Sequence, residues 1–463
     1  MTTKNKFYRN KLSILLTALV LNACADFIEI DTPRTELVTQ AVFAGDASAT
    51  AAIRGIYSLM MTNTSFTRGA MEEFTGIAGD EFINYARRAD QQQFYQNSLT
   101  PKNGDVFGTF WREAYKYISN ANVILEGVAN STGMSAEGKN QIAGEAKFIR
   151  AFCHFYLANL FGDIPYITTS DYNLNAIATR MPYQQVLAEI EVDLLEAKAQ
   201  LQEGFTKSND ERIQPNRTTA TALLARLYLY QQNWQQAETM SAQVIENTSY
   251  SLLTDLNKVF LANSQETIWQ LKPAIPGTNS PQGQLFILTN APNGFSRRIS
   301  ITPELSSTFE ANDTRKIKWI KTFTNANASW DYVFKYKVGN TSTLTEYAMI
   351  FRLAEQYLIR AEARAQLDKI TEAKADLNII RTRAGLPNTP ANNKAELLTA
   401  IMHERQVEFF GEFGHRWLDL KRTALADQVL SPLKPQWQAT DVLFPIPESE
   451  ILLNPNLTQN PGY

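Results

Sequence analysis

The chain has 463 residues, enough to bury a large core, and its 44 basic against 47 acidic residues leave a formal charge of −3. With no basic excess or basic run to neutralise phosphates, nucleic acid is not an expected partner. Three histidines, His154, His403 and His415, and two cysteines supply few imidazole or thiolate ligands, so no transition-metal centre or cofactor is expected.

The first residues read as a targeting segment. Lys4, Lys6, Arg9 and Lys11 precede an apolar run, Leu12–Leu21, that is shorter than the ~20 residues a membrane-spanning helix needs. Cys24 follows where the run ends, and Leu21-Asn22-Ala23-Cys24 resembles a lipobox. The expectation is a signal peptide over 1–23, lipidation at Cys24 and a lipidated tether over 24–39, with several acyl chains holding where one does not. Cys24 and Cys153 come from such different settings, an apolar terminus and a helix interior, that no disulfide is expected.

Helical periodicity then dominates, predicting helices over Val42–Met60, Val106–Val128, Lys139–Leu160, Pro182–Leu201, Thr218–Glu246, Glu346–Leu367, Thr371–Ala384 and Lys394–Arg422. The expected fold class is therefore mainly α. Two segments match a tetratricopeptide-like helix-turn-helix repeat: Leu224, Ala225 and Tyr228 with Trp234 and Ala237, and Ala361 with Ile370 and Ala373. In each, small alanines let paired helices approach closely while a bulky residue packs at the turn. Three stretches are irregular. The first, 63–104, carries aromatics among polar residues; the second, 251–345, has β-like runs at Thr267–Leu271, Lys316–Phe323 and Tyr332–Val338; the third is Ser431–Tyr463. Long loops in a compact protein are usually functional. The organisation expected is one domain over 40–463: an N-terminal part to about 250, a loop-rich insertion over about 251–345 and a C-terminal helical part from about 346.

Several segments carry a resemblance. Gly144–Ala151 runs into Phe155-Tyr156 and Leu160-Phe161-Gly162-Asp163-Ile164-Pro165-Tyr166. Further on come Arg352–Ala363, Arg381-Thr382-Arg383-Ala384-Gly385-Leu386 and Glu404-Arg405 through Gly411-Glu412 to Arg416–Arg422. The chain ends in Phe444-Pro445-Ile446-Pro447-Glu448 and Asn454–Tyr463. Together and in this order they resemble the SusD/RagB family of outer-membrane nutrient-binding lipoproteins. The resemblance implies a tetratricopeptide-like scaffold with a loop-rich ligand-binding portion, capping a SusC-like TonB-dependent barrel. It also implies a glycan or oligosaccharide ligand, or a peptide in some members, bound and not cleaved. Asp26, Glu29 and Asp31 resemble the signal that sends such lipoproteins to the outer face of the outer membrane, where a lipid anchor would hold the protein facing outside.

Read physically, the same motifs are structural. Around Arg360–Arg364 and Arg416–Arg422, charged and apolar residues alternate at helical spacing, as where helices pair across a partly solvated seam, so their ion pairs should fix packing. No phosphate-cradling glycine loop, nucleophile elbow or paired histidines occur, and His403-Glu404 lacks a metalloprotease's second histidine. The expectation is no enzyme. The alternatives are a glycosidase, which needs only two carboxylates, and a tetratricopeptide scaffold without a small ligand.

A sugar presents apolar C–H faces and a rim of hydroxyls, so its site needs exposed aromatic plates beside planar hydrogen-bonding groups. In the first irregular stretch the candidates are Phe66, Tyr85 and Tyr95, with Arg87 and Asn97, near Phe94. In the second they are Phe295, Trp330 and Tyr332, near Phe323. By helical spacing Trp111, Trp234 and Trp417 belong to the core, while Trp269 and Trp319 alternate with polar residues and should be half-buried.

Overall fold

The computed structural model describes residues 41–463 apart from 63, 296 and 342. The signal segment, Cys24 and the tether lie outside the described residues.

Helices dominate, as expected. The N-terminal part is built from Asp46–Met60, Arg112–Asn130, Ala136–Phe161 and Tyr183–Gln200. The long central helix, Ala136–Phe161, starts where Ser135 accepts a hydrogen bond from the Gly138 amide and ends at Gly162, whose φ of 76° no side chain favours. Both repeats form. Arg217–Tyr230 turns at Gln231–Asn233 into Trp234–Glu246, and Leu353–Gln366 turns into Ile370–Arg383. Ala225, Ala237, Ala361 and Ala373 are fully buried between the paired helices.

Among the described residues six short strands complete the fold: β1 Phe82–Asn84, β2 Thr267–Leu271, β3 Ile299–Ile301, β4 Ile320–Thr324, β5 Ser329–Val333 and β6 Ala348–Arg352. They pair antiparallel as β1–β3, β2–β6 and β4–β5. The run expected to be helical from Glu346 is β6 up to Arg352. Its residues are buried throughout, so periodicity carries no information there and pairing with β2 decides. Lys316–Phe323 is a helix before it is a strand, because Asp313 accepts the Arg315 amide at 2.9 Å and caps Thr314–Trp319. The strand expected over Tyr332–Val338 ends at Val333.

Lys394–Arg422 splits into Lys394–Phe409 and His415–Arg422 around Gly411 and Gly414, both at positive φ. The stretch 63–104 is more regular than expected. It contains helices Met71–Ala78 and Ala89–Gln96 besides β1, all too short or too evenly buried for a clean period.

The main core runs from Phe43 to Ile446, with a satellite cluster among the C-terminal helices. Trp111 and Trp417 are buried and Trp234 is half-buried. Trp269 and Trp319 are completely buried, not half-buried, because their indole N–H groups donate to the carbonyls of Ile213 at 3.2 Å and Leu256 at 3.0 Å.

The charged seam is also drier than expected. Arg315 meets Glu404 at 2.6 Å and Glu408 at 2.9 Å, and Arg352 meets Glu266 at 3.0 Å, Glu408 at 2.5 Å and Glu412 at 2.7 Å, all buried. Arg405 with Asp419, Arg422 with Glu362 and Arg226 with Glu355 repeat the arrangement. Burial alone would raise the Glu408 carboxyl, but the guanidiniums of Arg383, Arg352 and Arg315 hold it far below its ordinary range.

Candidate functional site

β1 and β3 form a two-stranded ribbon in the register Phe82↔Ile301 and Asn84↔Ile299. The pairing continues one step outward, where the Tyr85 amide donates to the Arg298 carbonyl at 2.7 Å and the Tyr85 hydroxyl meets Ser300 Oγ at 3.1 Å. The loop before β3 folds back over this edge. At Gly294, φ is 80°, and a Cβ there would stand 2.8 Å from the Tyr85 carbonyl oxygen and 3.4 Å from Arg87 Cγ, so only glycine lets the loop lie so close. Asn293 shapes the turn, its Oδ1 accepting the Phe295 amide at 2.9 Å. The result holds the Phe295 ring 79% exposed, one residue along from the glycine that abuts Tyr85 and Arg87.

Beneath this edge the support is polar and paired. Arg298 reaches Glu73 at 2.6 Å, and Arg88 reaches Asp105 at 2.7 Å. The Glu73 carboxyl is raised by burial even against Arg298. Tyr95 is half-buried, with the Lys434 ammonium 4.2 Å from its ring centre; burial raises its phenol, and the charges of Tyr85 and Glu304 reinforce the shift. Tyr85, Tyr95 and Glu304 therefore share one neighbourhood.

The β4–β5 hairpin stands beside β3. Its tip is tied by Asn325, whose Oδ1 accepts the amides of Asn327 at 2.8 Å and Ala328 at 3.0 Å. Asp331 accepts from Thr322 at 2.6 Å and from Ser306 at 2.8 Å, which fastens the hairpin to the helix Pro303–Thr308. Trp330 faces the other way. Half-buried, it packs across the strand pair on Phe323, ring centres 6.2 Å apart.

Of the residues singled out in the sequence, the structure brings Tyr85, Arg87 and Phe295 together at an exposed edge, places Tyr95 next to them, and sets Trp330 on the adjoining hairpin. Three others are not exposed. Phe66 is a core residue 1% exposed, stacked among Phe152, Tyr156 and Phe413. Asn97 is buried with its amide donating to the Ala78 carbonyl at 3.1 Å, and Tyr332 is buried edge-on to Phe334. Gly294 and Asn293 carry a signal of their own in the sequence, since an Asn-Gly pair after a proline marks a tight turn.

Comparisons with known proteins converge on one family. A family model described as "SusD family" matches residues 304–463, and another described as "Starch-binding associating with outer membrane" matches residues 46–229. The chain belongs to the SusD family. It is 29% identical to SusD-like protein P2 of Formosa agariphila, over 98% of this chain and 99% of that one. Among solved structures, a SusD superfamily protein from Bacteroides vulgatus superposes with a TM-score of 0.80 at 21% identity, covering 90% of this chain and 99% of the other. A laminarin-binding SusD-like protein superposes at 0.74 with 24% identity, covering 90% and 99%. At these identities the superpositions speak for the fold.

Proposed function

We propose that the protein is a surface-exposed, non-catalytic nutrient-binding lipoprotein. It captures a glycan or oligosaccharide on the edge formed by Tyr85, Arg87 and Phe295 and passes it to a SusC-like TonB-dependent transporter in the outer membrane. One observation carries the reading: a phenylalanine ring held almost free of contacts by a glycine-dependent turn, beside a tyrosine and an arginine, is an arrangement that contributes little to stability but matches a sugar's apolar face and hydroxyl rim. The laminarin-binding relative of the same fold supports the ligand class. An acylated Cys24 would supply the anchor. Docking to the barrel would use Tyr172, Leu174, Ile177, Leu452 and Leu453, all well exposed. Their two segments are tied together where the Asn454 and Asn456 side chains donate to the carbonyls of Ala178 and Ile177, at 2.7 and 2.8 Å.

Calorimetric titration of the mature protein against a panel of glycans, laminarin included, and of peptides tests the reading. In Phe295→Ala the ligand found should bind weaker by about 1–3 kcal/mol, with stability unchanged within about 0.5 kcal/mol, as for an exposed side chain. Equal affinity in the variant would remove this edge from the site, and binding only to peptides would replace the glycan. For the anchor, Cys24→Ala should release the protein from the membrane fraction and lower its mass by the acyl groups. A variant that stays bound with its lipids would sink lipidation at this residue.

A further inference from the structure

Away from this edge, and sharing no residue with it, a cavity of about 530 Å³ opens where the helix Ala136–Phe161 ends. That volume lies within the roughly 300–1,000 Å³ typical of small-molecule sites. Its wall combines the rings of Tyr183 and Tyr230 with the cationic side chains of Arg180, Lys421 and Arg422. The three cations are not equivalent. Arg422 is neutralised by Glu362 and Asp419, each within 2.7 Å. Lys421, next to it in the chain, donates to the carbonyl of Asn159 and has no ion-pair partner among the described residues. Burial drives its ammonium down to about 7, with no carboxylate to oppose the shift.

Arg180 is held by neutral oxygens: the carbonyls of Asp163 and Thr458 at 2.8 Å each, Thr458 Oγ1 at 3.2 Å and Asn460 Oδ1. Among the described residues the one carboxylate in the lining is Asp163, whose Oδ1 already accepts the Tyr183 amide at 2.8 Å.

Most buried arginines elsewhere in this molecule, Arg226, Arg315, Arg352 and Arg405 among them, are matched with carboxylates, as the cost of burying a charge demands, while buried Arg212 is held singly by the carbonyls of Thr267 and Ser249. Here two cations border one void with no acidic partner in ion-pair contact, and Lys421 keeps two N–H donors beyond the one bonded to Asn159. We infer that this cavity is a second binding site, for an acidic saccharide whose carboxylate or sulfate sits on Lys421 and Arg180 while its ring lies against Tyr183 and Tyr230. The inference stands apart from the Phe295 edge: either site could fail without the other.

Titration of the mature protein by heteronuclear NMR with sodium glucuronate, sodium sulfate and neutral glucose, at constant ionic strength, tests it. Glucuronate should shift the Lys421 and Arg180 region, and glucose should not. Binding should weaken by about tenfold or more in Lys421→Met and in Arg180→Gln, and stay unchanged in Lys316→Gln, an exposed lysine outside both sites. Thermal melting confirms each variant is folded, and Arg180→Gln serves if Lys421→Met is not. Absence of glucuronate binding, equal binding in a folded variant, or a response to sulfate alone would overturn the assignment.

Discussion

Arginine stands in opposite settings in two regions of this molecule. In the C-terminal seam, Arg315 and Arg352 are enclosed by Glu266, Glu404, Glu408 and Glu412, each charge answered within about hydrogen-bond length and all of them buried. At the loop edge, Arg87 is exposed and makes no hydrogen bond or ion pair among the described residues, beside an equally uncommitted Phe295. The helices Lys394–Phe409 and Thr314–Trp319 and the β2–β6 pair fix the backbone around the seam, so a charge there can be matched by another at a set distance. The edge is held by a glycine turn and a short ribbon, which position side chains while leaving their outer faces unsatisfied. Committed groups build the scaffold, and the uncommitted ones are those on which the proposed ligand edge rests.

Removing one seam charge should have the largest effect. Arg352→Met leaves Glu266, Glu408 and Glu412 buried with fewer partners and should cost about 3–5 kcal/mol in denaturant unfolding. A loss below 1 kcal/mol would mean that the seam tolerates unpaired charge and that the contrast with the edge is not energetic.

The joint between the two regions can be read by pH. Glu81 is buried under β1, its carbonyl accepting the Thr302 amide at 3.0 Å and its Oε1 the Gly411 amide at 3.2 Å. Burial, reinforced by Asp80, raises its carboxyl from 4.5 to about 8. Because the folded value lies above the unfolded one, the fold favours the protonated acid. That contribution is complete below about 4.5 and is lost as pH rises through about 8. Glu81→Gln keeps an acceptor for Gly411 and removes the titration. It should therefore gain on the parent as pH rises from 5 to 9, by at least about 1.4 kcal/mol, the equivalent of one pKa unit. Parallel melting curves for the two proteins across that range would refute the linkage.

The smallest effect sharpens the boundary of the edge. Trp330 packs on Phe323 across a two-stranded hairpin, so Trp330→Ala should cost only about 0.2–1 kcal/mol. A fully buried indole such as Trp269 should cost about 3–5 kcal/mol when truncated to alanine. A loss of that larger size at Trp330 would assign the hairpin to the scaffold.

The long helices and both repeats were legible in the sequence, because an amphipathic helix repeats its burial every turn and small residues mark where two helices touch. So were the buried tryptophans at helical spacing, and the general region of the edge, since aromatic residues among glycine, asparagine and proline stand out from any core pattern. Other features were settled only in three dimensions. β6 reads like the start of a helix because all its residues are buried, and pairing with β2 makes it a strand. Phe66 and Phe295 both sit among polar neighbours in sequence, yet one lies in the core and the other stands in solvent. Local sequence fixes how a segment can bend, but exposure depends on which distant segment lies over it. Phe152, Tyr156 and Phe413 cover Phe66, whereas the turn at Gly294 carries Phe295 beyond the reach of any such cover.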